Sequence, residues 1–417
     1  MGRLSSNLHR VIPAYLTLFV WNVAWGMSIN GPVLPLYVES LGISVIGWSV
    51  LAAAFAVGMF LLEWVWGSLC DRTDRRLLMI SSVLCMSVIF ALYTLHSLVP
   101  LFIVLQLLSG AVGVIIGPTT RVYVTHDSPD KSIGLYASVW WAFHNLGRVV
   151  GPLLGTYIAQ SWSFEYSFYT SSALSIALAF IIMVSFPSDK KRQRAGNPSS
   201  IMRGLKVVLA QRSARLLLLS AVFSFMGLSV MRSFLPLYAA EQIKMSTVDV
   251  GVLFASVWGA QLFAMPLLGW VSDRFGKKRT VFLGFVLSSC LFLLYFLVGT
   301  SYQLLLVSVA VGVGLSGTSL LLAMVPDVAP NRMYGATVGV YGSFEDLGSI
   351  TGPLIFGFVW SAFGPVFIFA ASSITQLLGA VLILAIEQQR SMHTRSIGES
   401  SRRIGVASTS GNTCHGK

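Results

Sequence analysis

Charged residues are scarce in this sequence: they make up 11% of its 417 residues, whereas 55% are hydrophobic. A soluble domain normally carries about 25% charged residues, because water must wet its surface. Less than half of that share leaves too few charges for a water-exposed surface of this size. The composition therefore excludes an ordinary soluble protein and favours a chain whose solvent is lipid.

Cysteine is scarce as well. The four cysteines show no paired spacing, and they are Cys70, Cys85, Cys290 and Cys414. The sequence thus indicates neither a disulfide framework nor a metal site, and we expect no cofactor. The first apolar stretch is too long, and too quickly followed by a second, to be a cleaved signal peptide.

Apolar runs, in contrast, recur along the whole chain at about 20 residues, the length that spans a bilayer. A backbone in lipid must satisfy its own hydrogen bonds, so each run is predicted to be a helix. The twelve predicted spans are Ala14–Tyr37, Val45–Leu69, Leu77–His96, Pro100–Arg121, Leu135–Ala159, Phe164–Phe186, Leu216–Ala239, Val248–Val271, Val281–Gly299, Tyr302–Val325, Gly335–Ala362 and Pro365–Ile386.

The net charge of +12 comes from 28 Lys and Arg residues against 16 Asp and Glu. The basic residues lie in termini, loops or helix ends on one face, except Arg148 and Arg232 within predicted helices and Lys244 on the other side. This positive-inside pattern predicts cytoplasmic termini and a multi-pass protein of the cell (plasma or inner) membrane. We therefore expect the lipid bilayer as a partner, and no nucleic acid.

A polar, basic stretch at 187–215 follows the sixth predicted helix and is typical of a solvated cytoplasmic linker. It separates a predicted N-terminal six-helix bundle, 1–186, from a C-terminal six-helix bundle, 216–386. Residues 387–417 are rich in Ser and Arg and have no apolar periodicity. We predict that they form a disordered cytoplasmic tail.

Short segments of the first half recur in the second half, 201 or 202 positions later. The pairs are Leu34-Pro35-Leu36-Tyr37 with Leu235-Pro236-Leu237-Tyr238, Gly147-Arg-Val-Val-Gly151-Pro152 with Gly348-Ser-Ile-Thr-Gly352-Pro353, and Asp71-Arg72 with Asp273-Arg274. Six helices per half return the chain to its starting side, so the repeat is parallel. Such duplication is typical of secondary transporters.

The loop after the second helix of each half carries one motif in two copies. The copies read Gly67-Ser-Leu-Cys-Asp71-Arg72-Thr-Asp74-Arg75-Arg76 and Gly269-Trp-Val-Ser-Asp273-Arg274-Phe-Gly276-Lys277-Lys278. With them, nearly the whole chain resembles the major facilitator superfamily, and within it the twelve-helix drug–proton antiporters. The resemblance implies gating loops: Asp71 would face the start of the eleventh helix near Gly335. Asp273 would face the start of the fifth near Gly134.

The fifth helix contains Gly147-x-x-x-Gly151-Pro152-x-x-Gly155, which resembles the antiporter signature. Glycines four residues apart let helix backbones approach closely, and Gly352-Pro353 indicates that the motif can reflect packing in both halves. The chain departs from the family pattern at Asp74, Ser138 and Thr156, each in place of glycine, and at Gln106, in place of an arginine associated with proton transfer.

Ionisable residues at membrane depth are costly and usually have partners or functions. His144 and Arg148 share one helix face, and at the repeat offset His144 corresponds to Glu345 and Asn145 to Asp346. We hypothesise that Glu345 or Asp346 binds the driving proton, biased by Arg148 or His144. A static charge pair is the alternative. The proton-coupling candidates are Glu63, His144, Arg148, Glu345 and Asp346.

The resemblance also implies that the first, fourth, seventh and tenth helices line a cavity, and that the second, fifth, eighth and eleventh form the interface between the halves. Aromatic and amide groups on these helices suit amphipathic organic compounds. Arg232 either attracts an anionic substrate or neutralises a carboxylate elsewhere in the chain. The substrate-cavity candidates are Trp21, Asn22, Trp25, Asn30, Gln106, Phe223, Met226 and Arg232.

These patterns predict the all-α major facilitator fold: twelve transmembrane helices in two parallel-repeated six-helix bundles. The predicted function is that of a secondary active transporter, monomeric and not an enzyme, which exports small amphipathic organic compounds in exchange for protons. Proton-coupled uptake of an organic anion or nutrient is the alternative. A membrane-embedded transferase with a magnesium site at Asp71-x-x-Asp74 is a remote one, since arginines flank both carboxylates and Gly276 replaces the second in the other copy.

Overall fold

The computed structural model describes residues 2–95, 99–126, 133–186, 208–328 and 334–386. The predicted tail and most of the predicted linker lie outside these ranges, so the domain boundaries stay predictions. The surroundings of four candidates also lie outside the described part: Glu63, Gly67, Asp71 and Arg72.

Twelve helical passes follow one another, and the described residues contain no strand. In the first half they are Gly2–Gly26 with Val33–Ser40, Val45–Arg72, Arg75–Leu92, Val99–Gly113 with Ile116–His126, Ile133–Ser161 and Phe164–Ser185. In the second half they are Arg212–Ser229 with Leu235–Glu241, Thr247–Phe275, Lys277–Leu293, Ser301–Thr318 with Val325–Val328, Tyr334–Phe363 and Phe367–Leu384. Within the described residues, nine helices are long and apolar enough to cross a membrane by length and composition alone. The predicted twelve-helix fold class is confirmed.

The first, fourth, seventh and tenth helices all have an irregular segment. The first helix stops at Gly26 and resumes at Val33, which corrects the prediction of one continuous span. Pro32 explains the break, since proline lacks an N–H and disfavours helical geometry in the residue before it. The seventh helix contains a π-helical turn at Val230–Phe234, and the tenth a 3₁₀ segment at Ser319–Met324. These four are the helices expected to line the cavity.

The two halves meet at the end of the bundle where the second and eighth helices begin. The positive-inside pattern predicts that this end faces away from the cytoplasm, and we call it the outer end. Here the Trp48 indole N–H donates to the Ser233 carbonyl at 2.8 Å, and the Val248 N–H donates to Gln160 Oε1 at 2.8 Å. Both bonds join one half to the other, so the outer end is closed.

Two carboxylates from opposite halves also approach each other at the outer end. Burial raises the pKa of Glu39, the Glu241 carboxylate raises it further, and the Lys244 ammonium opposes the rise. Closure of this end therefore brings like charges together.

The halves diverge toward the opposite, inner end, as three glycines along the eighth helix demonstrate. A Cβ added to Gly251, near the outer end, would lie 3.1 Å from the Pro152 carbonyl oxygen of the fifth helix. One added to Gly259 would meet only Val149, at 4.0 Å, and one added to Gly269 would meet no described atom within 4 Å. The structure is thus closed at the outer end and open at the inner end.

Candidate functional site

A cavity of about 250 Å³ lies between the two halves. It falls just below the range of roughly 300–1,000 Å³ for small-molecule pockets. Five helices form its wall: the first, second, fourth, seventh and eleventh. The polar residues that line it are Asn30, Gln106, Ser229, Arg232, Ser233, Glu345, Asp346 and Ser349. The larger apolar side chains that line it are those of Ile29, Trp48, Phe55, Met59 and Phe225.

A cluster of charged and aromatic side chains extends from the cavity across the interface between the halves. The guanidinium carbon of Arg148, on the fifth helix, lies 3.5 Å from the ring centroid of Trp258 on the eighth. The guanidinium carbon of Arg232 lies 5.7 Å from the same ring. Both are within the range of cation–π attraction, about 6 Å. Trp258 thus keeps two cations from different halves close together.

Acidic groups of the eleventh helix balance this positive charge. Glu345 and Asp346 both lie within electrostatic range of Arg232, and the Asp346 side chain is buried, at 5% exposure. The Tyr341 hydroxyl, one turn earlier, hydrogen-bonds to Glu345. The sequence left two roles open for Arg232: attracting an anionic substrate or neutralising a carboxylate. Its position near Glu345 and Asp346 matches the second role, and Arg232 also lines the cavity.

His144 lies on the Arg148 face of the fifth helix, as its spacing predicts. Its ring stacks on Trp140 with centroids 5.4 Å apart and meets Trp141 edge-on at 5.4 Å. The His144 Nδ1 atom is buried and has no hydrogen-bond partner among the described residues. Electrostatic interactions connect His144 to Arg148 and Arg232, so all the described proton-coupling candidates belong to one cluster.

The substrate-cavity candidates divide into two groups. Asn30, Gln106 and Arg232 line the cavity, whereas the other five are not part of its lining: Trp21, Asn22, Trp25, Phe223 and Met226. Trp25 contacts the wall through Phe55, with ring centroids 5.8 Å apart. Asn22 faces the fifth helix, and its Nδ2 donates to the Leu18 carbonyl at 2.8 Å. The tenth helix contributes no described lining residue, contrary to what the resemblance implies.

Sequence reasoning missed Trp48, Met59 and Trp258. Each lies on a helix of the half-to-half interface, which the resemblance does not assign to the cavity. The helical period gives the face of a residue within its own helix, but the rotation of that helix against its neighbours decides which face meets the cavity. The π-helical turn that contains Arg232 is a further sign of a functional site, because such turns are frequent there. It is visible in the structure but not in the sequence.

The loop motif has different backbone geometry in its two copies. Asp74 caps the third helix, because its Oδ1 accepts from the Arg76 N–H at 3.0 Å. This explains the departure from the family glycine. Gly276 occupies the same place in the second copy with φ +96°, a conformation that favours glycine.

The other described motif residues vary in their surroundings. Arg75 is buried, Asp273 is exposed, and the guanidinium of Arg274 lies 5.6 Å from the Trp270 ring. The resemblance implies that Asp71 and Asp273 face the starts of the eleventh and fifth helices. The surroundings of Asp71 and of both helix starts lie outside what the structure describes. The gating role therefore stays a prediction.

The antiporter-like motif packs the fifth helix against the first. A Cβ on Gly147 would lie 2.6 Å from the Asn22 Cβ, and one on Gly151 would lie 2.8 Å from the Val23 carbonyl oxygen. Gly155 lies against Met27 in the same way, and the helix runs through Pro152 without a break. In this structure the motif brings two backbones together within one half.

A sequence profile described as Major Facilitator Superfamily matches residues 16–259 and 217–408. Together with the duplicated twelve-helix fold and the cavity between its halves, this match establishes that the chain belongs to the major facilitator superfamily. The protein is accordingly a secondary transporter and a multi-pass membrane protein, and it is not an enzyme.

The chain is also similar to individual proteins. The chain is 27% identical over 381 residues to "Multidrug resistance protein MdtG" of Enterobacter lignolyticus, covering 85% of this chain and 87% of that protein. The fold is similar to the nucleoside transporter NupG, with a TM-score of 0.77, 12% identity, and coverage of 91% and 100%. It is also similar to an inward-facing bacterial homologue of the lysosomal transporter Spinster, with a TM-score of 0.74, 14% identity, and coverage of 92% and 96%.

Proposed function

We propose that this transporter exports small amphipathic organic compounds in exchange for protons. The relative named as a multidrug resistance protein aligns over most of both chains, which supports export. The cavity supports an amphipathic substrate, because Trp48, Phe55 and Phe225 stand beside polar side chains. Pockets of this composition hold ligands that combine an apolar body with a polar group.

The observation that carries proton coupling is the position of Glu345 and Asp346 on the cavity wall beside Arg232. A carboxylate that water reaches in one state and that is desolvated in another changes its affinity for a proton between the two states. Rocking of the halves would supply that change, since the cavity lies between them. A cationic substrate and a proton would then compete for the same carboxylates.

Arg148 and His144 have a supporting role in this proposal. The Arg148–Trp258 contact joins the halves, so opening of the outer end would alter the field that the fifth helix exerts on the carboxylates. Glu63 stays a further candidate for the proton site. Replacing Glu63 by Gln should abolish pH-driven transport if it carries the proton.

Proton release on substrate binding is the decisive experiment. We would add a lipophilic cationic dye such as ethidium to purified protein in weakly buffered solution and record the pH. We expect release from the wild type, and little release from Glu345→Gln or Asp346→Asn. Asp249→Asn, at the exposed start of the eighth helix, is the matched control and should behave as wild type. Dye binding without proton release in the wild type would refute proton coupling at this site.

Uptake of an organic anion is the second candidate function, because Arg232 lines the cavity. The direction of transport separates the two. Export predicts that cells lacking the protein accumulate more dye than cells that produce it. Import of a carboxylate compound into vesicles, lost in Arg232→Gln, would favour uptake instead.

The cytoplasmic termini, the monomeric state and the gating loops are part of the same proposal. Labelling of single cysteines introduced at Lys191 and Lys277 tests the topology, since both should react from the cytoplasmic side. Reaction from opposite sides would refute the parallel arrangement of the halves. Light scattering of the purified protein tests the monomer.

A further inference from the structure

One amide on the cavity wall has hydrogen-bonding capacity that the protein itself does not use. Gln106 lines the cavity from the fourth helix and is 3% exposed. Its Oε1 accepts no hydrogen bond from any residue that the structure describes. A buried amide oxygen without a donor costs free energy, so a ligand that brings a donor to it gains affinity.

The backbone around Gln106 is held in place by close packing of the second and fourth helices. A Cβ on Gly58 would lie 3.0 Å from the Ala111 nitrogen, and one on Gly110 would lie 3.1 Å from the Met59 nitrogen. These contacts lie within about one turn of Gln106. The backbone that carries Gln106 is therefore closely held, which limits the conformational entropy that this part of the wall loses when a ligand binds.

The charged residues on the cavity wall favour a cation. Those that line the cavity are Glu345, Asp346 and Arg232, which sum to one negative charge when both carboxyl groups are ionised, whereas Arg148 contacts Trp258 and is not part of the lining. Phe55 and Phe225 add aromatic surface, which attracts cations as well as apolar groups. A protonated amine attached to an aromatic body matches the charge, the aromatic surface and the unused acceptor.

We propose, resting on the export function proposed above, that the cavity selects amines that retain an N–H over their quaternary analogues, with Gln106 as the hydrogen-bond acceptor that distinguishes them. A protonated tertiary amine has one N–H to donate to Gln106 Oε1. A quaternary ammonium ion has the same charge and nearly the same shape but no donor. Binding of the quaternary ion therefore leaves the amide oxygen unsatisfied.

The test compares two probes that differ by one methyl group: 2-(1-naphthyl)ethyl-dimethylammonium and its trimethylammonium analogue. Calorimetric binding to purified, full-length protein is measured below the pKa of the amine, so that both probes carry one positive charge. A hydrogen bond to a charged donor corresponds to a preference of about tenfold for the tertiary ion in the wild type. In Gln106→Leu the preference should disappear, with most of the loss on the tertiary ion.

Two further variants keep the test conclusive. Gln106→Glu retains an acceptor and should retain the preference, even if Gln106→Leu does not fold. Gln376→Leu is the matched control, since Gln376 is also buried with an unpartnered Oε1 among the described residues but does not line the cavity; it should keep the preference. Equal binding of both ions to the wild type, with proton release, would overturn the inference and leave the export proposal standing. Failure of both ions to bind would overturn the inference together with the cationic substrate of the proposed function.

Discussion

Packing between the third and sixth helices of the first half recurs between the ninth and twelfth helices of the second. Tyr93 stacks on Phe168 with ring centroids 5.5 Å apart, and Tyr295 stacks on Phe369 at 3.7 Å. Serine pairs join the same helices through hydroxyl contacts of 2.9 and 2.8 Å: Ser87 with Ser172, and Ser289 with Ser373. Each of these residues has its counterpart 201 or 202 positions away.

The charges at the cavity do not recur. His144 in the fifth helix corresponds to Glu345 in the eleventh, and Asn145 corresponds to Asp346. Packing constrains both halves in the same way, because each is a bundle of six helices with the same crossings. A symmetric charge pattern would instead set like charges against each other at the interface. The difference teaches that the two halves have the same helix packing but carry different ionisable groups at the cavity.

Removing Arg232 should cause the largest loss of stability, because it removes a positive charge that offsets the carboxylates of the eleventh helix. Arg232→Gln takes away the cation beside Glu345 and Asp346. Leaving a buried charge without its compensating charge costs up to about 3–5 kcal/mol. We expect a lower unfolding temperature in detergent for Arg232→Gln, and partial recovery when Asp346→Asn is added.

The control for that experiment is Arg274→Gln. Arg274 is exposed at the inner end and lies against Trp270, so its removal should change stability by no more than about 0.5 kcal/mol. A double variant no more stable than Arg232→Gln alone would mean that the carboxylates do not depend on this arginine.

Adding one methyl group to the paired glycines should have the next largest effect, and a similar one in each half. In Gly151→Ala the new Cβ would lie 2.8 Å from the Val23 carbonyl oxygen, and in Gly352→Ala it would lie 3.0 Å from the Met226 Cα. Overpacking of this kind costs about 1–3 kcal/mol. Gly269→Ala, which meets no described atom within 4 Å, should instead stabilise its helix by up to about 1 kcal/mol. Thermal unfolding of the three variants measures this, and harmless substitutions at Gly151 and Gly352 would show that the scaffold is not tightly packed there.

The sequence was informative where structure depends on local spacing. Glycines four residues apart predicted close helix packing, and Gly147 and Gly151 do contact the first helix. His144 and Arg148 share a face, as the helical period requires. These relations need only the geometry of one helix, and so they survive any arrangement of the bundle.

The sequence was uninformative where structure depends on how helices rotate and tilt against each other. Nothing in the local pattern of Trp258 indicates that two arginines from different halves converge on its ring. The same holds for Trp48, which lines the cavity from an interface helix. The interruption before Pro32 is an intermediate case. Proline and glycine are local signals for a helix break, but the predicted span Ala14–Tyr37 was continuous.

The smallest effect is expected from exchanging the residues at which the two loop motifs differ. Asp74→Gly loses the side-chain cap on the Arg76 N–H, and glycine at a cap position costs only a few tenths of a kcal/mol compared with aspartate. Gly276→Asp must place a Cβ on a backbone with φ +96° and ψ 135°, a sparsely populated conformation that costs at least about 1 kcal/mol. Thermal unfolding of the two single variants should therefore give unequal losses, with the second half the less tolerant. Equal losses would contradict this reasoning, since they would mean that the backbone at Gly276 relaxes into an ordinary conformation once aspartate is present. The two loops would then tolerate the same residues, and the halves would differ only in the charges at the cavity.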